Sequence, residues 1–257
     1  MFAVKQSLDR VDARKEVKQQ LRLRLSYERR ARRQIQNVIK ELGQQAAQEF
    51  QDTGRIQITL MRVENRFIDV LHPLYQEIIR VFGERMLTRV QKDETLFDSL
   101  FKEFLVAHGA EAVVNISNTT RRQLNRVIFE NVDELSRIAV SNAILERTSF
   151  GFSALRAATI ARTEIHNASS FANHAVVLSQ FPQEQLMKRW TAVNDLRTRS
   201  HHADVNGTII PMEEKFVVTT NGIPKLMDRP ADPAGGAANV INCRCILVYE
   251  YDDGFSE

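Results

Sequence analysis

The stretch Asn242-Cys243-Arg244-Cys245-Ile246-Leu247-Val248-Tyr249-Glu250-Tyr251 decides how this chain is read. Its second half is a β-type run. Its first half holds the only two cysteines of 257 residues, one residue apart. Alternate residues of an extended strand project from the same face, so both sulfurs are expected on one side. Such a pair does not easily close a disulfide on itself when the flanking chain is extended. With an upstream histidine it makes most of a metal site. His202, Cys243 and Cys245 are the expected donors, and zinc suits a mixed sulfur and nitrogen set. A fourth ligand would come from His201, Asp195, Asp232, His166 or Glu164. Two other readings stand beside this one: a cysteine buried in the strand as a small apolar residue, and a redox pair.

Upstream, further β-type runs at 187–193, 208–210 and 216–219 are separated by Gly, Pro, Asn and Asp, which marks a compact module of short strands. Trp190, the sole tryptophan, is expected to anchor its core. Asp195, Arg197 and Arg199 alternate, and on a strand they would share a face. They form an anion-binding cluster or, the preferred reading, an internal ionic network in a loop-rich module. Arg162 and Glu164 belong to the same polar set, on a helix that also carries His166 and His174. These two histidines are two turns apart, too far for one metal without help, and packing against the strands is the expected role.

Before residue 150 the periodicity is helical. A long helix is expected over 7–50, where strong helix formers run without Gly or Pro until Gly43. Its apolar stripe looks too sparse to bury it. A break follows at 52–54, then a short strand at 56–61 with helix resuming soon after. Pro73 is expected to kink or restart that helix. Further helices follow to about 147: one ending at His108-Gly109, one capped by Ser117 or Asn118, and one over 133–146. A turn over 148–152 comes next, and Ser153 is expected to cap a helix to about 180. The expected fold class is therefore α+β: a helical region 1–151, then a mixed module 152–257 with short antiparallel strands.

Charge is uneven. Through Leu42 there are twelve basic and five acidic residues; from Ala161 there are nine basic and twelve acidic. Arg22, Arg24, Arg29, Arg30, Arg32 and Arg33 concentrate the excess on the first helix. They are candidates for contact with DNA phosphates or an acidic protein surface, without sequence reading. With only Tyr27 close by, stacking on single strands is not expected. No apolar run approaches the roughly 20 residues of a membrane helix. Residues 1–8 lack a secretion signal's apolar core, and two cysteines make no disulfide framework, so a reducing compartment is expected.

The order Ala161-Arg162-Thr163-Glu164, Trp190, Asp195-x-Arg197-Thr198-Arg199, His202, Asn206-Gly207, Asp232-Pro233, Asn242-Cys243-Arg244-Cys245 resembles the phage Mu F-like head-morphogenesis family, over about 153–251. The resemblance implies a structural minor head protein of a tailed bacteriophage, and not an enzyme. It implies a place at the portal inside the capsid, after assembly in the host cytoplasm, and a part in head assembly, DNA packaging or DNA delivery. The portal protein is the implied partner. The major capsid protein, packaged double-stranded DNA and self-association are further candidates. The alternatives are a metal-dependent nuclease and a non-specific DNA-binding protein. His201-His202 with Asn206 is weakly similar to an HNH site, but no histidine follows His202 to complete one.

Overall fold

The computed structural model describes residues 13–87, 94–131, 133, 136–181 and 186–251. Helix α1 (Ala13–Thr53) opens the described chain; the start of the expected helix, before residue 13, lies outside it. Ala31, Ile35, Val38, Ile39, Leu42, Ala46 and Ala47 recur at helical spacing and are all buried. The stripe is therefore not too thin to pack. Its alanines complete it, because small side chains let neighbouring backbone come close. Gly43 does the same at the tightest point: a Cβ there would stand 2.0 Å from Thr148 Oγ1.

Residues 56–61 are not a strand. Helix α2 (Gln57–Glu84) starts there and runs through Pro73 without restarting. Its beginning is set by a side chain from the preceding helix. The Glu49 carboxylate accepts the backbone N–H groups of Ile58 and Thr59, each at 2.8 Å, and the Thr59 hydroxyl at 2.7 Å. An acidic group at a helix N-terminus meets otherwise unpaired donors and the positive end of the dipole. Partial burial pushes the Glu49 carboxyl up, but these hydrogen bonds outweigh it and hold the group below its ordinary value.

Helix α3 (Glu94–Phe104) does not stop at His108-Gly109. A π turn (Leu105–Gly109) carries it into α4 (Ala110–Glu130), so Ser117 and Asn118 are interior residues, not caps. Helix α5 (Arg137–Arg147) is capped by Ser136, whose side chain accepts the Ala139 N–H. Helix α6 (Phe150–Gln180) begins before Ser153, whose hydroxyl turns back to the Ser149 carbonyl at 2.9 Å. The expected cap thus lies inside the first turn of the helix, and the turn before it is confined to Thr148 and Ser149.

The strands are β1 (Leu186–Thr191), β2 (Ile209–Pro211), β3 (Phe216–Thr220), β4 (Ile223–Met227) and β5 (Ile246–Tyr251). They form an antiparallel sheet of order β2-β1-β5 and a β3–β4 hairpin. Long helices followed by short antiparallel strands make the α+β class expected. Strand β4 was not anticipated, although Asn221-Gly222 announces it: both residues take positive φ, as a two-residue hairpin turn requires. Short helices α7 (Ser200–Asp204) and α8 (Ala237–Val240), with a 3-10 turn (Pro233–Gly235), fill the connections.

The chain divides into two compact units. One holds the chain up to Ser26, Tyr75–Phe104 and everything from Thr163; the other holds Tyr27–Leu74 and Leu105–Arg162. The strands and the candidate donors all belong to the first. Its core gathers around Trp190, which is fully buried and meets Phe216 edge-on at 5.3 Å, with Val177, Leu186, Met212, Val218, Leu247 and both cysteines. Among the described residues no helix is long and apolar enough to cross a membrane.

Candidate metal centre

Cys243 and Cys245 lie in the loop between α8 and β5, not on the strand itself. The same-face prediction therefore rested on the wrong geometry, yet both sulfurs converge. His202, on α7, presents Nδ1 to Cys245 Sγ at 3.4 Å and to Cys243 Sγ at 3.7 Å. The donor atoms of the three residues all lie within 4.8 Å of one another, and all three side chains are buried. Both thiols are free.

The tautomer of His202 follows from its neighbours. Asn239 is fully buried, and its Nδ2 donates to the Gly235 carbonyl at 2.8 Å. Its Oδ1 accepts the Thr220 hydroxyl at 3.0 Å and faces His202 Nε2 at 3.3 Å. An amide oxygen only accepts, so Nε2 must carry the proton. Nδ1 is the nitrogen that faces the two sulfurs. This is the arrangement of a metal-ligating imidazole held by a hydrogen bond on its far nitrogen.

The thiols titrate unequally. Burial pushes Cys243 up, but the Cys245 thiol, His166 and His202 outweigh it and hold Cys243 well below the usual thiol range. Cys245 is driven well above that range by its neighbour Cys243 and by burial. The first proton of the pair is thus lost more readily than the second.

The loop is anchored on both sides. Asn242 takes φ +58°, a left-handed conformation that Asn tolerates, and its N–H donates to Thr163 Oγ1 at 3.2 Å. This explains the Thr of the helical motif. Arg244, between the cysteines, forks onto Asp195 with N–O distances of 2.6 and 2.5 Å, while its carbonyl accepts from Arg24 at 3.3 Å. The Arg244 fork holds the Asp195 carboxyl well below the usual carboxylate range, and Asp195 in turn raises Arg244. Asn206 accepts the Ala192 N–H at 2.8 Å. Asp232 accepts the N–H groups of Asp228 and Ala234, which fixes the turn before α8.

The polar set Asp195, Arg197, Arg199, Glu164 and Arg162 is not brought together as one cluster. Residues 195–198 form a turn, not a strand, so the alternating side chains lose their common face. The Arg197 guanidinium reaches Asp195 at 3.8 Å while its backbone N–H donates to Asp195 Oδ1 at 3.0 Å, and Arg199 donates to the Ile241 carbonyl. Glu164 is buried and accepts the Tyr75 hydroxyl at 2.8 Å. Arg162 pairs with Glu28 at 3.6 Å. Of the helix arginines, Arg24 is 3% exposed and donates to the Arg244 carbonyl of the cysteine loop. Arg22, Arg29, Arg30, Arg32 and Arg33 are exposed. Sequence reading missed Arg244 and Asn239. Arg244 was visible inside the Cys-x-Cys motif, but its partner on the far side of the loop was not.

The fold and site define a class: a helical protein whose C-terminal α+β module holds a buried His/Cys/Cys cluster. The chain belongs to the family described as Phage Mu protein F like protein, whose profile matches residues 116–248, slightly more than half of the sequence. The match reaches back into α4, well before the residues that carried the resemblance. The chain is similar to the minor head protein GP7 of Bacillus phage SPP1, with 32% identity over 97 residues, 38% of this chain and 30% of that protein. It is also similar to the uncharacterized protein YqbB of Bacillus subtilis (strain 168), with 24% identity over 184 residues, 67% of this chain and 59% of that one. The chain thus spans less than two thirds of either relative. No solved structure matches.

Proposed function

We propose that this chain is a structural minor head protein of a tailed bacteriophage. On this reading it sits at the portal inside the capsid and acts in head assembly, DNA packaging or DNA delivery. The family match over 116–248 carries the reading, and the likeness to a minor head protein supports it. Its partners on this reading are the portal protein, the major capsid protein and packaged double-stranded DNA, with self-association as a further contact. Zinc is the cofactor we assign to the His202, Cys243 and Cys245 cluster. Burial of all three donors suits an ion that staples a fold, because a catalytic zinc keeps an open coordination position. A metal-dependent nuclease would need its ion open to a phosphodiester.

Purified heads test the reading. The chain should be present in them and remain with the portal when the shell is disrupted; its absence from purified heads would overturn the proposal. The exposed arginines favour one added role, sequence-independent binding of DNA. Replacing Arg29, Arg30, Arg32 and Arg33 by Ala should weaken duplex binding and flatten its salt dependence, by roughly 0.9 in slope for each phosphate no longer neutralised. An unchanged slope would remove the DNA role without touching the head assignment.

A further inference from the structure

We propose that the turn 195–199, with the cleft it shares with the cysteine loop, is the docking site for the portal protein. A carboxylate of that partner enters between Arg197 and Arg199, and an apolar side chain beside it packs on Leu196 and Ile241. The inference rests on the minor head reading and deepens it by naming the surface that meets the partner.

Charge decides the first half. The cleft has a volume of about 10 Å³, room for one water-sized group. Its lining holds the guanidinium groups of Arg197, Arg199 and Arg244 and, among the described residues, no carboxylate. The adjoining Asp195 answers one of the three. Arg244 takes both of its oxygens. Asp195 Oδ1 also accepts the Arg197 N–H at 3.0 Å and the Thr198 hydroxyl at 3.4 Å. That carboxylate is saturated, and the Arg197 guanidinium stands off at 3.8 Å with its side chain 76% exposed. Arg199 uses one donor on the Ile241 carbonyl. A guanidinium carries five N–H donors, so both arginines keep donors for a further anion. A carboxylate fits such a fork two bonds at a time.

The surface beside the arginines is apolar, which separates a protein partner from a nucleic acid. Leu196, next to Arg197 in the turn, is fully exposed. Ile241, whose carbonyl holds Arg199, is 41% exposed. A phosphodiester backbone gains little by covering aliphatic side chains. A protein segment that sets an Asp or Glu beside an aliphatic residue gains from both halves of the patch. The turn is also held in place. Thr198 N–H donates to the Asp195 carbonyl at 2.9 Å, Asp195 N–H donates to Thr198 Oγ1 at 3.1 Å, and Arg244 clamps Asp195 from the cysteine loop. The backbone that carries Leu196 and Arg197 therefore has little freedom left to lose on binding.

Calorimetric titration of the full chain with purified portal protein tests the proposal. The native chain should bind, with an affinity that falls as salt rises. Leu196→Ala should weaken binding by about fivefold or more, and Arg197→Glu by about thirtyfold or more. Arg197→Lys should recover part of the loss, because it restores the charge without the fork. All three should keep the native urea midpoint at Trp190, which separates lost docking from lost folding, and should bind duplex DNA as the native chain does. A native portal affinity in Leu196→Ala or in Arg197→Glu would overturn the docking site and leave the minor head reading intact. Weakened DNA binding in Arg197→Glu with portal affinity unchanged would overturn it in favour of a phosphate contact. A native chain that binds no portal would overturn the docking site and the place at the portal together, while its presence in purified heads would still uphold the head assignment.

Discussion

Replacing Asn239 by Ala probes the support of the site most directly. The side chain is fully buried and makes three hydrogen bonds: to the Gly235 carbonyl at 2.8 Å, from Thr220 at 3.0 Å and from His202 Nε2 at 3.3 Å. The Thr220 hydroxyl is half-buried and can turn to water, so its loss costs about 0.5–1 kcal/mol. The Gly235 carbonyl and the His202 N–H would be left buried without partners, at about 1–3 kcal/mol each. The sum is about 2.5–7 kcal/mol. Trp190 is the only tryptophan, is buried, and lies edge-on to His202 at 5.6 Å, so its fluorescence reads this module alone. Urea unfolding followed at Trp190, in chelator so that no metal contributes, should show the midpoint falling by about 1–3.5 M at an m-value near 2–3 kcal/mol/M. A loss below about 1 kcal/mol in Asn239→Ala would refute the assignment of Asn239 as the residue that fixes His202, and with it the Nε2–H tautomer.

Other outcomes follow from single features. His174 is buried, and burial, Lys188 and Arg229 push its pKa down to about 3. The unfolded chain therefore binds a proton that the folded chain refuses. This stability is complete above about pH 6.5 and is lost as pH falls toward 3; the loss is a few kcal/mol at about 1.4 kcal/mol per unit. Denaturation across pH 7 to 3 should show a shallower loss in His174→Gln, and parallel curves would refute it. Asp195→Asn should lower the thermal midpoint at pH 7. Because the Asp195 pKa is depressed, the gap should close as pH falls through its folded value and protonates the native carboxyl too. A gap that persists in strong acid would mean that the ion pair is not its source. Gly43→Ala places a Cβ 2.0 Å from Thr148 Oγ1, and calorimetry should register about 1–3 kcal/mol of strain. A neutral or stabilising change would show that the helix-to-turn packing has slack.

What the sequence determines by itself is whatever depends on short-range pattern. Helical periodicity announced α1 to α6, and β-branched runs bounded by Gly, Pro and Asn announced β1, β2, β3 and β5 within a residue or two. The Cys-x-Cys spacing, with one upstream histidine, picked out the three side chains that converge in the buried cluster. The boundaries were less legible where a distant residue sets them. Glu49 starts α2 from the preceding helix, so 56–61 resembled a strand when seen alone. A π turn joins α3 to α4, where His108-Gly109 resembled a stop. Tertiary structure alone decided the pairings between residues far apart in the chain: Arg244 with Asp195, Asn239 with His202, Thr163 with Asn242. It also decided which of several arginines on one helix is buried. Local propensity acts over a few residues, while hydrogen-bond satisfaction in a buried site is settled by whichever distant groups the packed core brings within 3 Å.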